Sequence, residues 1–140
     1  MNSKRTAMIC GLMVLAACTL SAAGVKQQAR QGDARAQYEL GKRFSERKNY
    51  ARALPWLRQA AKQGHAGAQN RLGVMYERGE GVRMDTVEAY KWYTLAASAQ
   101  NSFAMANRIS LERRLCPEQI AAAEISARLQ HSCAIRLSSK

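Results

Sequence analysis

Few residues of this chain have the types and spacing that chemistry requires, and the most conspicuous are two glycines on either side of a glutamate. Gly79 and Gly81 lie in the segment LGVMYERGEGV, residues 72–82. A P-loop needs four residues between its glycines and then Gly-Lys-Ser/Thr, whereas Glu80 alone separates this pair. The dinucleotide-binding fingerprint needs a third glycine, where Met84 stands, and a preceding β-strand, where the pattern is helical. The segment therefore predicts a corner between two helices, with Gly79 in the left-handed conformation that ends the first one.

The histidines and cysteines form no recognisable catalytic or metal-binding pattern. His131 and Cys133 offer two ligands at most, where a tetrahedral zinc site needs four, and His65 lies far away in the sequence. Cys116 and Cys133 are separated by a predicted helix at 117–131, about 22 Å long at 1.5 Å per residue. A disulfide requires Cα atoms within about 7 Å, so these two cysteines pair only if the tail turns back. The sequence predicts no catalytic, cofactor-binding or metal-binding residue and no cofactor, and it leaves the redox state of both thiols open.

The composition favours one small all-helical domain. The 140 residues are 47% hydrophobic but only 6% aromatic, with two prolines. Alanine, leucine, arginine, glutamine and glutamate are abundant, whereas the β-branched residues that favour strands are sparse.

The N-terminal segment has the pattern of an export signal. Lys4 and Arg5 precede residues 7–20, a run of 14 residues without a charge. A membrane span needs about 20 apolar residues, so this run suits the apolar region of a signal peptide, with a buried core helix as the alternative.

Residues 15–18, LAAC, resemble the bacterial lipobox. The resemblance implies that 1–17 is a signal peptide, that Cys18 is lipidated, and that 18–31 is an anchor-proximal linker. Thr19 follows in place of aspartate, which implies the periplasmic side of the outer membrane. Cleavage after SAA, 21–23, is the alternative, and it gives a soluble periplasmic or secreted protein.

The chain is strongly basic. Its formal net charge is +12, which becomes +10 once the two cations of residues 1–17 are removed. Residues 26–62 hold ten Lys/Arg against three Asp/Glu. Such an excess favours attraction to an acidic protein, lipid headgroups or envelope polymers, although a solvated helical face is the alternative. Nucleic acid is not predicted as a partner, because no aromatic stacking pattern accompanies the charges.

The glycine corner lies within an internal repeat of the sequence. AQYELGKRF at 36–44 aligns with AQNRLGVMY at 68–76, and ARALPWLRQAAKQG at 51–64 aligns with VEAYKWYTLAASAQ at 87–100. The offset rises from 32 to 36, so four residues are inserted around 78–85. Repeats of this length predict stacked pairs of antiparallel helices.

Glycines within the first helix of each pair predict close helix contacts. Gly41 and Gly73 leave gaps that we expect Trp56 and Trp92 to fill. Asn49 and Asp85 are predicted to cap the second helix of each pair.

The second unit is similar to the Sel-1-like repeat, a relative of the tetratricopeptide repeat. The positions that carry the resemblance are Ala36, Leu40, Gly41, Phe44, Ala53 and Trp56 in the first repeat, and Ala68, Leu72, Gly73, Tyr76, Gly79, Gly81, Asp85, Ala89, Trp92, Ala96 and Ala97 in the second. The first repeat lacks the Gly-x-Gly-Val-x-x-Asp connection. The predicted architecture is a short right-handed α-solenoid of about two and a half repeats and six helices. Its units are 32–65, 66–102, a capping helix pair at 103–131 and a tail at 132–140.

The resemblance implies a non-enzymatic adaptor that binds another protein on the concave face formed by the first helices. Arg35, Tyr38, Lys42, Asn70 and Arg71 are the predicted partner-binding residues, and they suit an acidic segment or surface. A homo-oligomer would lengthen this short surface. The alternatives are an envelope protein that binds anionic polymer or lipid headgroups, and a β-lactamase-like enzyme. The cysteine-rich relatives described as such enzymes pair cysteines inside each repeat, and neither repeat here contains a cysteine.

Overall fold

The computed structural model describes residues 22–138, and every regular element in that range is an α-helix. The helices are α1 (Ala22–Arg30), α2 (Ala34–Glu46), α3 (Tyr50–Lys62), α4 (Ala66–Arg78), α5 (Thr86–Ser98), α6 (Ser102–Glu112) and α7 (Pro117–Ser138). The predicted signal peptide and Cys18 lie outside the described residues. Within residues 22–138, no helix has both the length and the apolar character needed to cross a membrane.

Helix α1 corrects the prediction of six helices and of a linker at 18–31. The side chain of Gln37 donates to the backbone oxygen of Ala29 at 3.1 Å, and Gln69 donates to Ala61 at the same distance one repeat later. Helix α1 therefore takes the place of a second helix in a preceding half repeat, and the stacking begins upstream of the predicted first unit. The sequence carries this signal, because QGDARAQ at 31–37 parallels QGHAGAQ at 63–69.

Helix α7 is longer than the prediction. It continues to Ser138, through most of the segment that was predicted to be a tail after residue 131. Helices α6 and α7 both pack against α5, so α5 is the inner neighbour of the whole C-terminal part.

Polar side chains begin most of the helices. The prediction of caps at Asn49 and Asp85 is confirmed, because Asn49 accepts from the N–H of Arg52 and Asp85 accepts from two N–H groups of α5 at 3.0 Å. Such capping satisfies backbone donors that have no partner within the helix. Gly79 ends α4 at φ 69°, in the left-handed conformation expected for it.

The close contacts of the mid-helix glycines are made by residues other than the tryptophans. A Cβ on Gly41 would lie 2.7 Å from Leu57 Cγ, and a Cβ on Gly73 would lie 2.4 Å from Tyr93 Cε1. The prediction that Trp56 fills the first gap is therefore wrong. One position along a helix turns a side chain by about 100°, and the residue after each tryptophan is the one that meets the glycine.

The same reasoning corrects the role predicted for Trp92. Its ring lies in the central core with Leu72 and Met75, and its Nε1–H donates to Glu88 Oε1 at 3.1 Å. Trp56 instead packs beside Leu40 in the cluster that α1 covers. The tryptophans thus contribute to two different clusters of the core, away from the glycine contacts.

One hydrogen bond of the first repeat has no counterpart in the second. Gln63 caps the C-terminus of α3 and donates through Nε2 to Gln37 Oε1 at 2.7 Å. The equivalent acceptor, Gln69 Oε1, is buried and receives no hydrogen bond from any described residue. Ala99 occupies the matching cap of α5 with a similar backbone, φ −89° and ψ 23° against −81° and 5° at Gln63. An unsatisfied buried acceptor is costly, so this position limits the stability of the second repeat.

We expect Ala99→Gln to raise the free energy of unfolding by about 1 kcal/mol, because the new amide donates to Gln69 Oε1. Urea denaturation followed by circular dichroism measures the change. Ala99→Glu is the matched control, since its carboxylate has the same length but no donor, and it should give no gain. Equal stabilisation by both substitutions would contradict the hydrogen-bond explanation.

Candidate protein-binding surface

Side-chain contacts fix the first helices α2, α4 and α6 next to one another. Arg71 on α4 donates through Nε to the buried hydroxyl oxygen of Ser45 on α2 at 2.9 Å. Asn107 on α6 donates through Nδ2 to Asn70 Oδ1 on α4 at 3.2 Å. These contacts span 26 and 37 residues of sequence, and they join the three helices along one side, which we call the first-helix face.

An aromatic stack joins the start of the second repeat to the first. The rings of Tyr38 and His65 lie 4.5 Å apart between centroids, at 25° to each other. His65 is also the N-cap of α4, where its Nδ1 accepts from the N–H of Ala68 at 3.2 Å. Burial lowers the pKa of the His65 imidazole, opposed by smaller effects of its own backbone hydrogen bond and nearby carboxylates. The neutral form keeps the Nδ1 lone pair available, so the cap and the stack support each other.

The structure divides the five predicted partner-binding residues into two groups. Tyr38, Asn70 and Arg71 are partly buried and contact neighbouring helices, so each also has a structural role. Arg35 and Lys42 are exposed, and neither forms an ion pair with a described residue. The basic character predicted for this surface therefore resides in these two side chains, which are three residues before and four residues after Tyr38 on α2. Their role in binding stays a prediction.

The sequence analysis did not predict the contacts that His65, Ser45 and Asn107 make on this surface. The signal for His65 was its position: Asp33 occupies the same place one repeat earlier and caps α2 by accepting from Ala36. Because residues 31–37 align with residues 63–69, the cap at Asp33 predicts that His65 also caps a helix.

Most of the acidic side chains are engaged within the fold. The six that cap a helix or pair with a cation are Asp33, Glu77, Glu80, Asp85, Glu88 and Glu112. The sequence has ten acidic residues against 22 basic ones, and engagement of these six within the described part of the chain leaves an excess of positive charge there. A surface of this kind attracts acidic partners.

Two buried tyrosines bind carboxylates and are unsuited to proton transfer. Tyr93 donates to Glu77 Oε2 at 2.8 Å, and Arg114 donates to the other oxygen of that carboxylate at 3.1 Å. Tyr90 donates to Glu112 Oε1 at 2.7 Å. Burial, followed by the hydrogen bond to Glu112, raises the pKa of Tyr90 to about 12, and burial also raises the pKa of Tyr93. Both phenols remain protonated at neutral pH, and their hydrogen bonds hold α5 to its neighbours.

The remaining reactive side chains are isolated from one another. Among residues 22–138, no three His, Cys, Asp or Glu side chains are grouped so that they could hold a metal ion. The thiol of Cys116 is free and exposed, and His131 is exposed on α7. The described part of the chain thus presents surfaces for binding and no assembled set of nucleophile, base and orienting group.

Comparison with known proteins agrees with this architecture. The family model described as Sel1 repeat matches residues 34–65 and 66–101, which confirms the resemblance drawn from the spaced glycines, alanines and aromatic residues. A comparison with curated proteins finds no match.

Two solved structures have similar folds. One is c5321, a protective antigen of uropathogenic Escherichia coli strains with an SLR fold; the match has 32% identity and a TM-score of 0.72 and covers 76% of this chain and 24% of that one. The other is a Sel1 repeat protein from Oxalobacter formigenes, at 36% identity and a TM-score of 0.55 over 60% of this chain and 66% of that one. The chain therefore spans about a quarter of the first relative and about two thirds of the second. The all-helical solenoid is confirmed.

Proposed function

We propose that this chain, which carries two Sel1 repeats, is a non-enzymatic adaptor at the bacterial cell envelope that binds an acidic protein on its first-helix face. Sel1 repeat proteins generally act as scaffolds for protein–protein interaction. To this general role the proposal adds the surface that binds the partner, the acidic character of the partner and the location of the protein.

One observation carries the choice of surface. The contacts Arg71–Ser45 and Asn107–Asn70 join α2 to α4 and α4 to α6, so Asn70 and Arg71 are held in place before a partner arrives. Preorganised surfaces lose less entropy on binding. Arg35 and Lys42 are exposed on the same helix as Tyr38, and aromatic and basic groups together favour an acidic partner.

The envelope location rests on the sequence of residues 1–23. The basic start, the uncharged run and the LAAC segment support export and lipidation at Cys18, with cleavage after Ala23 as the alternative. Binding of anionic polymer or lipid headgroups is the alternative function, and it is favoured by the net charge of +12.

Photo-crosslinking in the native host tests the binding proposal. A benzophenone amino acid placed at position 35 or 42 should crosslink one discrete protein of acidic isoelectric point. The same group at Arg52 or Lys62, which are exposed on α3, is the matched control and should not capture it. Arg35→Glu with Lys42→Glu should weaken the complex at least tenfold while the circular dichroism spectrum stays unchanged. Crosslinking to no discrete protein, or equally from all four positions, would overturn the proposal.

A further inference from the structure

A concave surface lies at the glycine corner, formed by residues other than the five predicted to bind a partner. It is a groove of about 680 Å³ between α3 and the connection from α4 to α5. Leu54 and Arg58 of α3, Tyr76 of α4, and Val82, Arg83 and Met84 of the connection line it. None of the five residues predicted to bind a partner on the first helices lines this groove, so the two surfaces can be tested separately.

The four inserted residues of the second repeat build this groove. The connection between α2 and α3 is residues 47–49, whereas the connection between α4 and α5 is residues 79–85. The longer connection folds back onto the first repeat, where a Cβ on Gly81 would lie 2.5 Å from Tyr50 Cβ. Gly81 has φ 73°, so it combines the left-handed conformation with a close approach that only glycine permits.

Backbone hydrogen bonds hold the walls of the groove in place. The N–H of Asp85 donates to the backbone oxygen of Tyr76 at 2.9 Å, and the N–H of Glu80 donates to Met75 at 2.9 Å. Val82 packs against the central core, together with Leu54 and Tyr76. The groove is therefore a formed feature of the fold, as ligand-binding concavities usually are.

The charges around the groove are positive and available. Arg58 Nη2 donates to the hydroxyl oxygen of Tyr76 at 3.0 Å, which positions a charged group that has no carboxylate partner among the described residues. Arg83 is exposed and forms no ion pair in the described part of the chain. Asp85 is the carboxylate that lines the groove, and it is occupied by the two N–H groups at the start of α5.

The groove also offers apolar surface to a ligand. Met84 is 64% exposed, an unusual position for a large apolar side chain, and it lies with Leu54 and Val82 around the same concavity. An unbranched thioether adapts its shape to different apolar partners. Apolar surface flanked by two arginines is the composition found at the centres of protein-binding sites.

We propose that this corner groove binds an acidic peptide segment carrying a large apolar side chain. Carboxylates of the segment pair with Arg58 and Arg83, and its apolar side chain packs between Leu54, Val82 and Met84. A second copy of the chain is a poor occupant, because its net charge of +12 repels this basic surface. The inference goes beyond the proposed adaptor function, since it assigns a second binding site that uses none of the five predicted partner-binding residues.

Titration with two synthetic peptides tests the inference. The probe is the capped peptide Glu-Asp-Leu-Phe-Glu-Asp, and its matched partner is Lys-Lys-Leu-Phe-Lys-Lys. Two-dimensional ¹H–¹⁵N NMR spectra of the full-length protein should show shifts at Arg58 and at residues 81–87 with the acidic peptide only. Shifts confined to α2 and α4, equal binding of the basic peptide, or no binding at millimolar concentration would each overturn it.

Substitutions make the site assignment specific. Arg83→Glu should weaken binding of the acidic peptide at least tenfold, and Met84→Ser at least fivefold. Arg52→Glu, on α3 but outside the groove, is the charge-matched control and should change the affinity less than twofold. Because the Arg83 side chain forms no hydrogen bond or ion pair with another described residue, its replacement should leave the thermal unfolding transition unchanged. Binding to phosphatidylglycerol vesicles that is lost in Arg83→Glu, without peptide binding, would identify the groove as a lipid site and overturn the inference.

Discussion

Replacing Gly73 with alanine is expected to lower the free energy of unfolding by about 2 kcal/mol. The new Cβ would lie 2.4 Å from Cε1 and 2.5 Å from Cδ1 of Tyr93, distances that require the ring or the helix to shift. The ring is fully buried and its hydroxyl donates to Glu77, so it has no free space to enter. Alanine favours helix over glycine by about 1 kcal/mol, which offsets part of the cost of overpacking. Urea denaturation followed by circular dichroism measures the net change.

Two variants isolate the cause. Gly67→Ala places a Cβ on the same helix, 3.0 Å from the partly exposed ring of Tyr38, and should cost under about 1 kcal/mol because that ring can move and the helix gains propensity. In a Tyr93→Leu background the penalty of Gly73→Ala should shrink, since the clashing ring atoms are gone. Additive effects at positions 73 and 93 would contradict the contact as the source of the destabilisation.

Replacing Cys18 with serine is expected to abolish membrane retention of the protein. A lipidated N-terminal cysteine carries several acyl chains, each contributing about 0.8 kcal/mol per buried CH₂, whereas serine can accept none through a thioether. In its native host the wild-type protein should therefore fractionate with the outer membrane. The variant should remain unprocessed or appear in the soluble fraction, as immunoblotting of separated fractions would show.

A second substitution separates lipidation from ordinary cleavage. Ala23→Arg disturbs the small-residue pattern at 21–23 and leaves LAAC intact, so it should not affect processing at Cys18. If Cys18→Ser is cleaved normally and Ala23→Arg is not, the protein is instead released as a soluble periplasmic or secreted binder.

The spacing of residues predicted the repeat architecture because the pattern is carried by positions that cannot vary freely. Gly41 and Gly73 occur where helices touch, and Gly79 occurs where the chain must take a positive φ. Such constraints act through the backbone and therefore appear directly in the sequence. The sequence does not show directly which residue contacts each glycine. For that reason Trp56 and Trp92 were assigned to contacts that Leu57 and Tyr93 make.

The extent of the solenoid was underestimated for a different reason. Helix α1 is short, has no tryptophan and has no pair of alanines near its C-terminal end, so the repeat pattern in the sequence becomes recognisable only from residue 32. The hydrogen bond from Gln37 to the backbone oxygen of Ala29 identifies α1 as part of the solenoid, because Gln69 forms the equivalent hydrogen bond to Ala61 one repeat later. The residues of the first-helix face were predicted but their contacts were not, because the contacts of Arg71 and Tyr38 depend on which neighbouring helix lies opposite. The corner groove was not predicted from the sequence.

The early start of α1 determines how closely a lipid anchor would hold the protein. Its first residue is Ala22, so three residues separate it from Cys18, and four extended peptide units reach at most about 14 Å. A connection of that length is much shorter than the long flexible stalks of many surface proteins. If Cys18 carries lipid, the cationic end of the solenoid stands directly on the headgroups. The partner must then approach from the side or from above, and the reach of the protein into the periplasm is little more than the height of its stacked helices.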